Sequence, residues 1–457
     1  MPDVPSEAVP AGLLHRVQQL QRLSHPASTV TRPCRRVAGS LTPRAVAPPP
    51  GDDLDRFADL AYGYRTTPRG VARHAASAGA MYPVETVWLA GGPEGWRWRL
   101  HVPERRGCVD VGDATAAATA LGLRTGQWAV AVVAVAWRTV QRYGVRGYRY
   151  CLLDAGNVLG NIAALAVHAG TAARLPDRMP HDVVHADLGL TADELLLAVV
   201  VLDAEAAAAA PTGPSPTVDG LGTGWVVEHP PLLNPALHRV RRLHGFAEPA
   251  VQPAVDLAEL VRVPGADAPG EIRRRHSARA FTGTPMPSGV APAIEALQLR
   301  LAAAVRPPLR DWLALRYVAP AGEGWRSRWW DPSTGTWRAA EVPAPSPTCR
   351  IRMFGQQPIA GAASAFLLVG MTPDRSDTGL SVYRRLLLVA GLVCAEAYRM
   401  AVRLGCATTV LGGFDDEAVA ALGGGGFTPL VAQAIGVPEP AADLKNDTVA
   451  AGWLSTS

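Results

Sequence analysis

Two stretches of this chain, one in each half, carry one pattern. Tyr148-Arg149 precedes Leu152-Leu153, Ala155-Gly156 and Gly170; Tyr383-Arg384 precedes Leu387-Leu388, Ala390-Gly391 and Gly405. The offset between matched positions is constant (383 − 148 = 235 and 405 − 170 = 235). Upstream of each lies a similar hairpin, Gly95-Trp96-Arg97 and Gly324-Trp325-Arg326. A chain that repeats in this way is expected to fold as two like α+β units that form an internal pseudo-symmetric pair. Its 457 residues exceed one ordinary domain, and 48% hydrophobic content supplies the cores.

The boundaries follow from composition. Residues 51–205 read as the first unit and 265–457 as the second. Between them, 206–264 is a Pro/Ala-rich linker with a short basic helix around His238 to His244. Residues 1–50 form an N-terminal extension, with an amphipathic helix over Leu13 to Leu20 and a proline run, Pro48-Pro49-Pro50. Within the first unit, Trp128 to Trp137 and Leu195 to Leu202 read as strands buried on both faces. Arg138 to Arg149 reads as an Arg/Tyr-rich loop and Tyr150 to His168 as a long apolar helix.

A net charge of +4 implies no committed nucleic-acid surface. No apolar run reads as a membrane span, and the N-terminus lacks a basic region followed by an apolar stretch, so the expected compartment is the cytoplasm. The six cysteines form no Cys-x-x-Cys pair, which argues against a metal centre or a disulfide framework. Lys445 is the only lysine, so any lysine chemistry must use it.

Three stretches carry candidate chemistry. Ala76-Ser77-Ala78-Gly79-Ala80-Met81-Tyr82-Pro83 combines a hydroxyl, small residues that let a ligand approach the backbone, and a proline that stops a helix. It reads equally as an ordinary turn before the strand Thr86 to Ala90. Arg275, Ser277 and Arg279 alternate, so an extended backbone puts them on one face, where two guanidiniums and a hydroxyl suit a phosphate. A solvated basic turn is the plainer reading. Gly412-Gly413 leaves backbone N–H groups accessible to an acceptor, or is a simple loop before the helix that starts at Glu417.

Together these stretches resemble a family. Arg275-x-Ser277-x-Arg279 followed by Phe281 resembles the flavin-phosphate motif of nitroreductase-fold FMN enzymes, and Gly412-Gly413-Phe414-Asp415 resembles their flavin-edge loop. Ser77-Ala78-Gly79-Ala80-Met81-Tyr82-Pro83-Val84-Glu85, with Tyr148 to Asn157, is similar to one branch, the SagB-type azoline dehydrogenases. The resemblance covers about 52–205 and 265–440. It implies two tandem nitroreductase-like units, with mixed central sheets flanked by helices. It implies FMN as cofactor, held by Arg275, Ser277, Arg279, Ser77, Ala78, Gly79, Gly412 and Gly413. The implied reaction turns thiazoline or oxazoline rings of a ribosomally synthesised peptide into thiazoles or oxazoles, as in thiopeptide antibiotic biosynthesis. Dioxygen is the implied electron acceptor, and the azoline-bearing precursor peptide and a cyclodehydratase or leader-binding protein are the implied partners.

The resemblance has departures. Where the branch uses a Lys-Tyr pair this chain has Arg142-Tyr143, and it has Asn157 where the branch usually has histidine. Arginine cannot accept a proton at neutral pH. Tyr143 is therefore the expected base, with Arg142 or Arg146 expected to lower its pKa. The loop is present only in the first half, since Trp312 stands at the place that matches Ser77 (312 − 77 = 235). The arginine motif is present only in the second, since Thr42 stands at the place that matches Ser277 (277 − 42 = 235). One composite FMN site per chain is expected, between the halves. A general NAD(P)H-dependent nitroreductase and a flavin-less scaffold that binds a peptide or partner are the other two readings.

Overall fold

The computed structural model describes residues 53–67, 70–103, 107–190, 194–203, 235–246, 250–354, 359, 362–372, 379–439 and 448–449. The N-terminal extension, the alanine and proline runs of 204–216, Cys34, Thr42 and Lys445 lie outside these residues.

In the first unit, β1 (Tyr64–Thr67) and β2 (Gly70–Arg73) precede β3 (Val84–Gly92), β4 (Gly95–Val102), β5 (Gly107–Asp113), β6 (Trp128–Val135), β7 (Ala172–Arg174) and β8 (Glu194–Asp203). In the second come β9 (Leu313–Ala321), β10 (Gly324–Asp331), β11 (Thr336–Val342), β12 (Ala365–Met371), β13 (Ala407–Leu411) and β14 (Thr428–Gly436); β15 (Thr448–Val449) follows. The strand orders are β5-β4-β3-β6-β8-β7 and β11-β10-β9-β12-β14-β13, so the two six-stranded sheets share one topology. The registered pairs within both are antiparallel. The expected α+β fold of two tandem units is what the chain adopts, with antiparallel rather than mixed pairing in both six-stranded sheets. A third, small sheet pairs β1, β2 and β15, which ties the chain's end to the first unit.

Strand period places the cores. Val130, Val132 and Ala134 of β6 face the central core, while Ala129, Ala131 and Val133 face an outer one. Between the sheets lie α3 (Gly147–His168) and α6 (Leu380–Arg403), with α1 (Asp53–Tyr62), α2 (Trp137–Tyr143), α4 (Pro235–Phe246) and α5 (Val290–Ala304) around them. Both central helices are buried nearly all round, so most of their residues are apolar and the buried charged ones need partners. The stretch Trp137–His168 is long and apolar enough to cross a membrane, contrary to the sequence reading, but 94% of its most apolar window is buried inside the fold.

The two central helices meet on glycine. A Cβ on Gly156 would lie 2.7 Å from Gly391 Cα and 2.3 Å from Leu388 O; one on Gly391 would lie 2.7 Å from Gly156 Cα and 2.3 Å from Leu153 O. The contact is reciprocal, and its members stand at the repeat offset (391 − 156 = 235 and 388 − 153 = 235). Two fully buried arginines cross between the units. Arg149 Nη2 donates to Pro429 O (3.3 Å) and Leu430 O in β14. Arg384 Nη2 donates to Leu197 O in β8, and its Nη1 donates to Val251 O at 2.8 Å. The pseudo-two-fold read from the repeat is therefore built into the packing.

Two expectations change. Arg138 to Arg149 is not a loop: α2, a turn of 3₁₀ helix over Gly144–Arg146 and the start of α3 cover it. Trp137 and Val140 are buried and give the segment a core face, and Gly144, at φ 58°, makes the break between the helical pieces. In the stretch read as a linker, the short helix expected around His238 to His244 is present, and the described residues beyond it pack as well. Leu237, Val240 and His244 of α4 are buried, and the short helix Leu257–Val261 buries Leu257, Leu260 and Val261.

Candidate functional site

The loop after β2 is backbone-strained. Gly79 (φ 60°), Ala80 (φ 56°) and Tyr82 (φ 45°) all sit in the left-handed region, and the latter two gain nothing from glycine's freedom. Side chains hold it. Ser77 Oγ donates to Asp154 Oδ2 at 2.6 Å, Ala78 N donates to Asp154 Oδ1 at 3.2 Å, and Tyr82 N donates to Ser77 Oγ at 2.9 Å. Arg138 Nη1 donates to Tyr82 O (3.0 Å) and to Glu85 Oε1 (2.6 Å), both in a buried setting.

Over this loop stands Tyr143. A Cβ on Gly79 would lie 2.2 Å from Tyr143 Oη and 3.3 Å from the Arg142 guanidinium, so the phenol approaches the backbone as only glycine permits. Arg142 is exposed, 3.5 Å from Gly79 O, and its guanidinium carbon is 5.5 Å from the Tyr143 ring centre. Burial pushes the Tyr143 phenol up to about 12, against the opposing pull of Arg142. Arg142 pulls the pKa down as expected, but loss of water outweighs that one cation and the net shift is upward. Arg146 serves another group: its Nε donates to Tyr150 Oη at 3.0 Å and its Nη2 to Gly412 O at 2.8 Å.

Tyr150 links the units. Its ring packs edge-on to Tyr143 at 4.7 Å, and its Oη donates to Gly412 O at 2.8 Å. A Cβ on Gly412 would lie 2.5 Å from the Tyr150 ring, whereas one on Gly413 would meet nothing within 4 Å. The Gly412–Gly413 loop is thus closed on one side by Tyr150 and open on the other. Gly79, Tyr143, Tyr150 and Gly412 form one connected line across the seam.

The arginine motif reaches the same seam. Arg275, buried, donates from Nε to His74 O (2.7 Å), from Nη2 to Arg73 O (3.2 Å) and from Nη1 to Ser277 Oγ (3.3 Å). It therefore binds the first unit's backbone just before Ser77, which makes it a stitch between units as well as a candidate phosphate ligand. Ser277 Oγ lies 2.8 Å from Tyr398 Oη, and Ser277 bridges to Thr408 of β13. Arg279 is half-buried. Asn157 donates to Leu153 O of its own helix at 3.0 Å.

Of the sequence candidates, Ser77, Ala78, Gly79, Arg142 and Tyr143 form one wall, Gly412 and Gly413 a second, and Arg275 with Ser277 joins the first wall from the far unit. Asp154, Tyr150 and Tyr398 were not singled out. Asp154 and Tyr150 lie inside the motif Tyr148 to Asn157; Tyr398 had no sequence signal. Among the described residues no group of three His, Cys, Asp or Glu could hold a metal ion.

No family model matches the chain, and no curated protein matches it. Among solved structures, a putative nitroreductase from Anabaena variabilis superposes with a TM-score of 0.67 at 17% identity, covering 94% of this chain and 99% of that one. An NADPH:FMN oxidoreductase from Vibrio harveyi complexed with NAD+ matches 38% of this chain and 70% of its own, at 17% identity and a TM-score of 0.28. The first of these likenesses, over nearly the whole of both chains, shows a nitroreductase fold in two tandem units.

Proposed function

We propose that the chain is an FMN-dependent oxidoreductase that oxidises thiazoline or oxazoline rings of a ribosomally made peptide, with one composite site per chain. The observation that carries this reading is the line from Gly79 through Tyr143 and Tyr150 to Gly412, beside the Arg275–His74 stitch. It gathers loop, phenol, glycine pair and arginine at one place. The residues fit a planar, phosphate-bearing group: the Gly413 side is open, Gly79 bears a phenol that a methyl group would displace, and Arg275 and Arg279 supply charge. Bound FMN would supply the two-electron acceptor. Arg275, Ser277 and Arg279 would hold its phosphate end, and the Ser77 and Gly412 loops its ring.

The rest of the chemistry falls to this chain's own side chains. Ring oxidation releases one proton, and in this reading Tyr143 Oη would take it. A phenol at about 12 is ionised to about one part in ten thousand at pH 8. With Tyr143 as base, turnover should therefore climb with pH, close to tenfold per unit between pH 7 and 10. Tyr143→Phe should keep FMN and lower turnover at least about a hundredfold. Persistent oxidation by that variant removes Tyr143 from the reaction.

The raised phenol also favours a second reading, an NAD(P)H-dependent reductase in which neutral Tyr143 donates its proton to the reduced substrate and Arg142 steadies the charge there. In that case the rate stays flat up to pH 10. The absorbance spectrum and FMN content of the purified protein come first. One FMN per chain is expected; two would break the composite-site reading, and none would leave the peptide-binding scaffold.

A further inference from the structure

We infer that Asp154 is a positioning residue for the Ser77–Tyr82 loop, and that it fixes Ser77 Oγ as a hydrogen-bond acceptor toward whatever ligand the loop holds. The second clause rests on the FMN reading; the first does not. Asp154 is 4% exposed and projects from α3, a central and fully packed helix. Each of its carboxylate oxygens takes one loop donor, Ser77 Oγ–H at 2.6 Å and Ala78 N–H at 3.2 Å.

The direction of these bonds follows from the groups. An ionised carboxylate only accepts, so the Ser77 proton points to Asp154; a backbone N–H only donates, so Tyr82 N (2.9 Å) takes one lone pair of Ser77 Oγ. The hydroxyl has no proton left, and its remaining lone pair is what a ligand meets. Ser77 is half-buried and Gly79 beside it exposed, so that side of the loop is accessible. The matching chemistry is an N–H or O–H donor on the ligand, not a carbonyl or phosphate oxygen. Ser77 is thereby excluded from the phosphate role that a free hydroxyl would allow.

Two further observations point to the same residue. The loop holds Ala80 and Tyr82 at positive φ, a conformation that persists only where neighbours over-determine it, and Asp154 supplies two of the ties. Where the pseudo-symmetry repeats, Val389 stands for Asp154 (389 − 154 = 235), and ahead of β9, at the offset of the matched strand starts (324 − 95 = 229), Arg306 stands for Ser77 (77 + 229 = 306). Loop hydroxyl and helix carboxylate occur together in one unit and are missing together from the other.

The test uses the full chain with Asp154→Asn, Asp154→Val and Ser77→Ala. In FMN-free protein, amide exchange over residues 75–83 should rise at least about tenfold in both Asp154 variants, while α3 stays protected. Unchanged exchange overturns the positioning role. For the second clause, FMN titration by flavin fluorescence should show about tenfold weaker binding in Ser77→Ala. In Asp154→Asn an amide N–H can turn toward Ser77 and free its proton, so the loss should be at least as large, with a shifted flavin absorption band. The double variant Asp154→Asn/Ser77→Ala should bind no worse than the weaker single one. Equal binding by all variants overturns the acceptor role. If the unaltered protein takes up no FMN, the FMN reading and the acceptor clause fall together, and the exchange result still decides on Asp154.

Discussion

Around Gly79 and Gly412 the chain gathers Asp154, Tyr150, Tyr398 and Thr408; at the matching places in the other unit it has Val389, Arg385, Ala163 and Ala173. Val389, Ala163 and Ala173 are all buried, so three of these four places are apolar packing, while Arg385 donates to Ser381 O of its own helix at 3.3 Å. The loops differ in the same sense. Gly413 has open space beside it, but Asp177, the counterpart of Gly412, accepts from Gln252 N at 3.1 Å. The buried Gln252 side chain then donates to Pro176 O (2.9 Å) and accepts from Val199 N (2.8 Å). One position keeps strained backbone and polar side chains; its mate has been filled. Strain and buried polarity cost stability, so the two positions differ in what they give up, and under the proposed function that cost falls on the position that would hold the ligand.

The sharpest way to break this comparison is at the axis. Gly156→Ala and Gly391→Ala each drive a methyl into opposing backbone, and each should cost about 3 kcal/mol, read as a fall in Tm. The two losses should match, since the contacts are reciprocal; a clear inequality would mean the helices do not share the axis evenly. Next come the crossing arginines. Arg149→Met and Arg384→Met each strand buried carbonyls and should cost about 2 kcal/mol. Only Arg149→Met should also weaken FMN binding, because Arg149 lies 5.0 Å from the Phe414 ring beside the glycine pair. Equal effects on FMN would erase the distinction between the positions.

Smaller still is Tyr398→Phe, which removes the bond to Ser277 and should cost about 1 kcal/mol with a modest loss of FMN affinity. The smallest expected contrast is alkaline. Burial raises Tyr143, Tyr317 and Tyr383 from an ordinary value near 10 to about 12. The folded state then holds protons that the unfolded chain releases, so stability is intact below pH 10 and is lost as pH rises from 10 through 12. Two of these tyrosines lie in the second unit. Tyr143→Phe should therefore leave most of the alkaline unfolding in place, as followed by circular dichroism.

Much of the fold was legible in sequence because repeats and apolar runs are local signals. The constant repeat offset placed both central helices, and the Gly-Trp-Arg pairs marked the starts of β4 and β10. What the sequence hid was through-space pairing. Nothing local joins Ser77 to Asp154 or Tyr150 to Gly412, so the sequence offers the Ser77 hydroxyl without showing that the fold has already committed its proton. The Arg/Tyr-rich run looked like a loop because its charges mask Trp137 and Val140, the two anchors of a short helix. The pKa of Tyr143 was misjudged for a related reason: neighbouring arginines are visible in sequence, but loss of water is not.

The glycine contact at the axis has a consequence for how this chain can change. In a homodimer one codon would supply both glycines, and every substitution would appear twice. Here Gly156 and Gly391 are separate codons, and each must stay glycine on its own account. In return every other matched pair is free to part company, so a site can be lost from one unit without being lost from its mate.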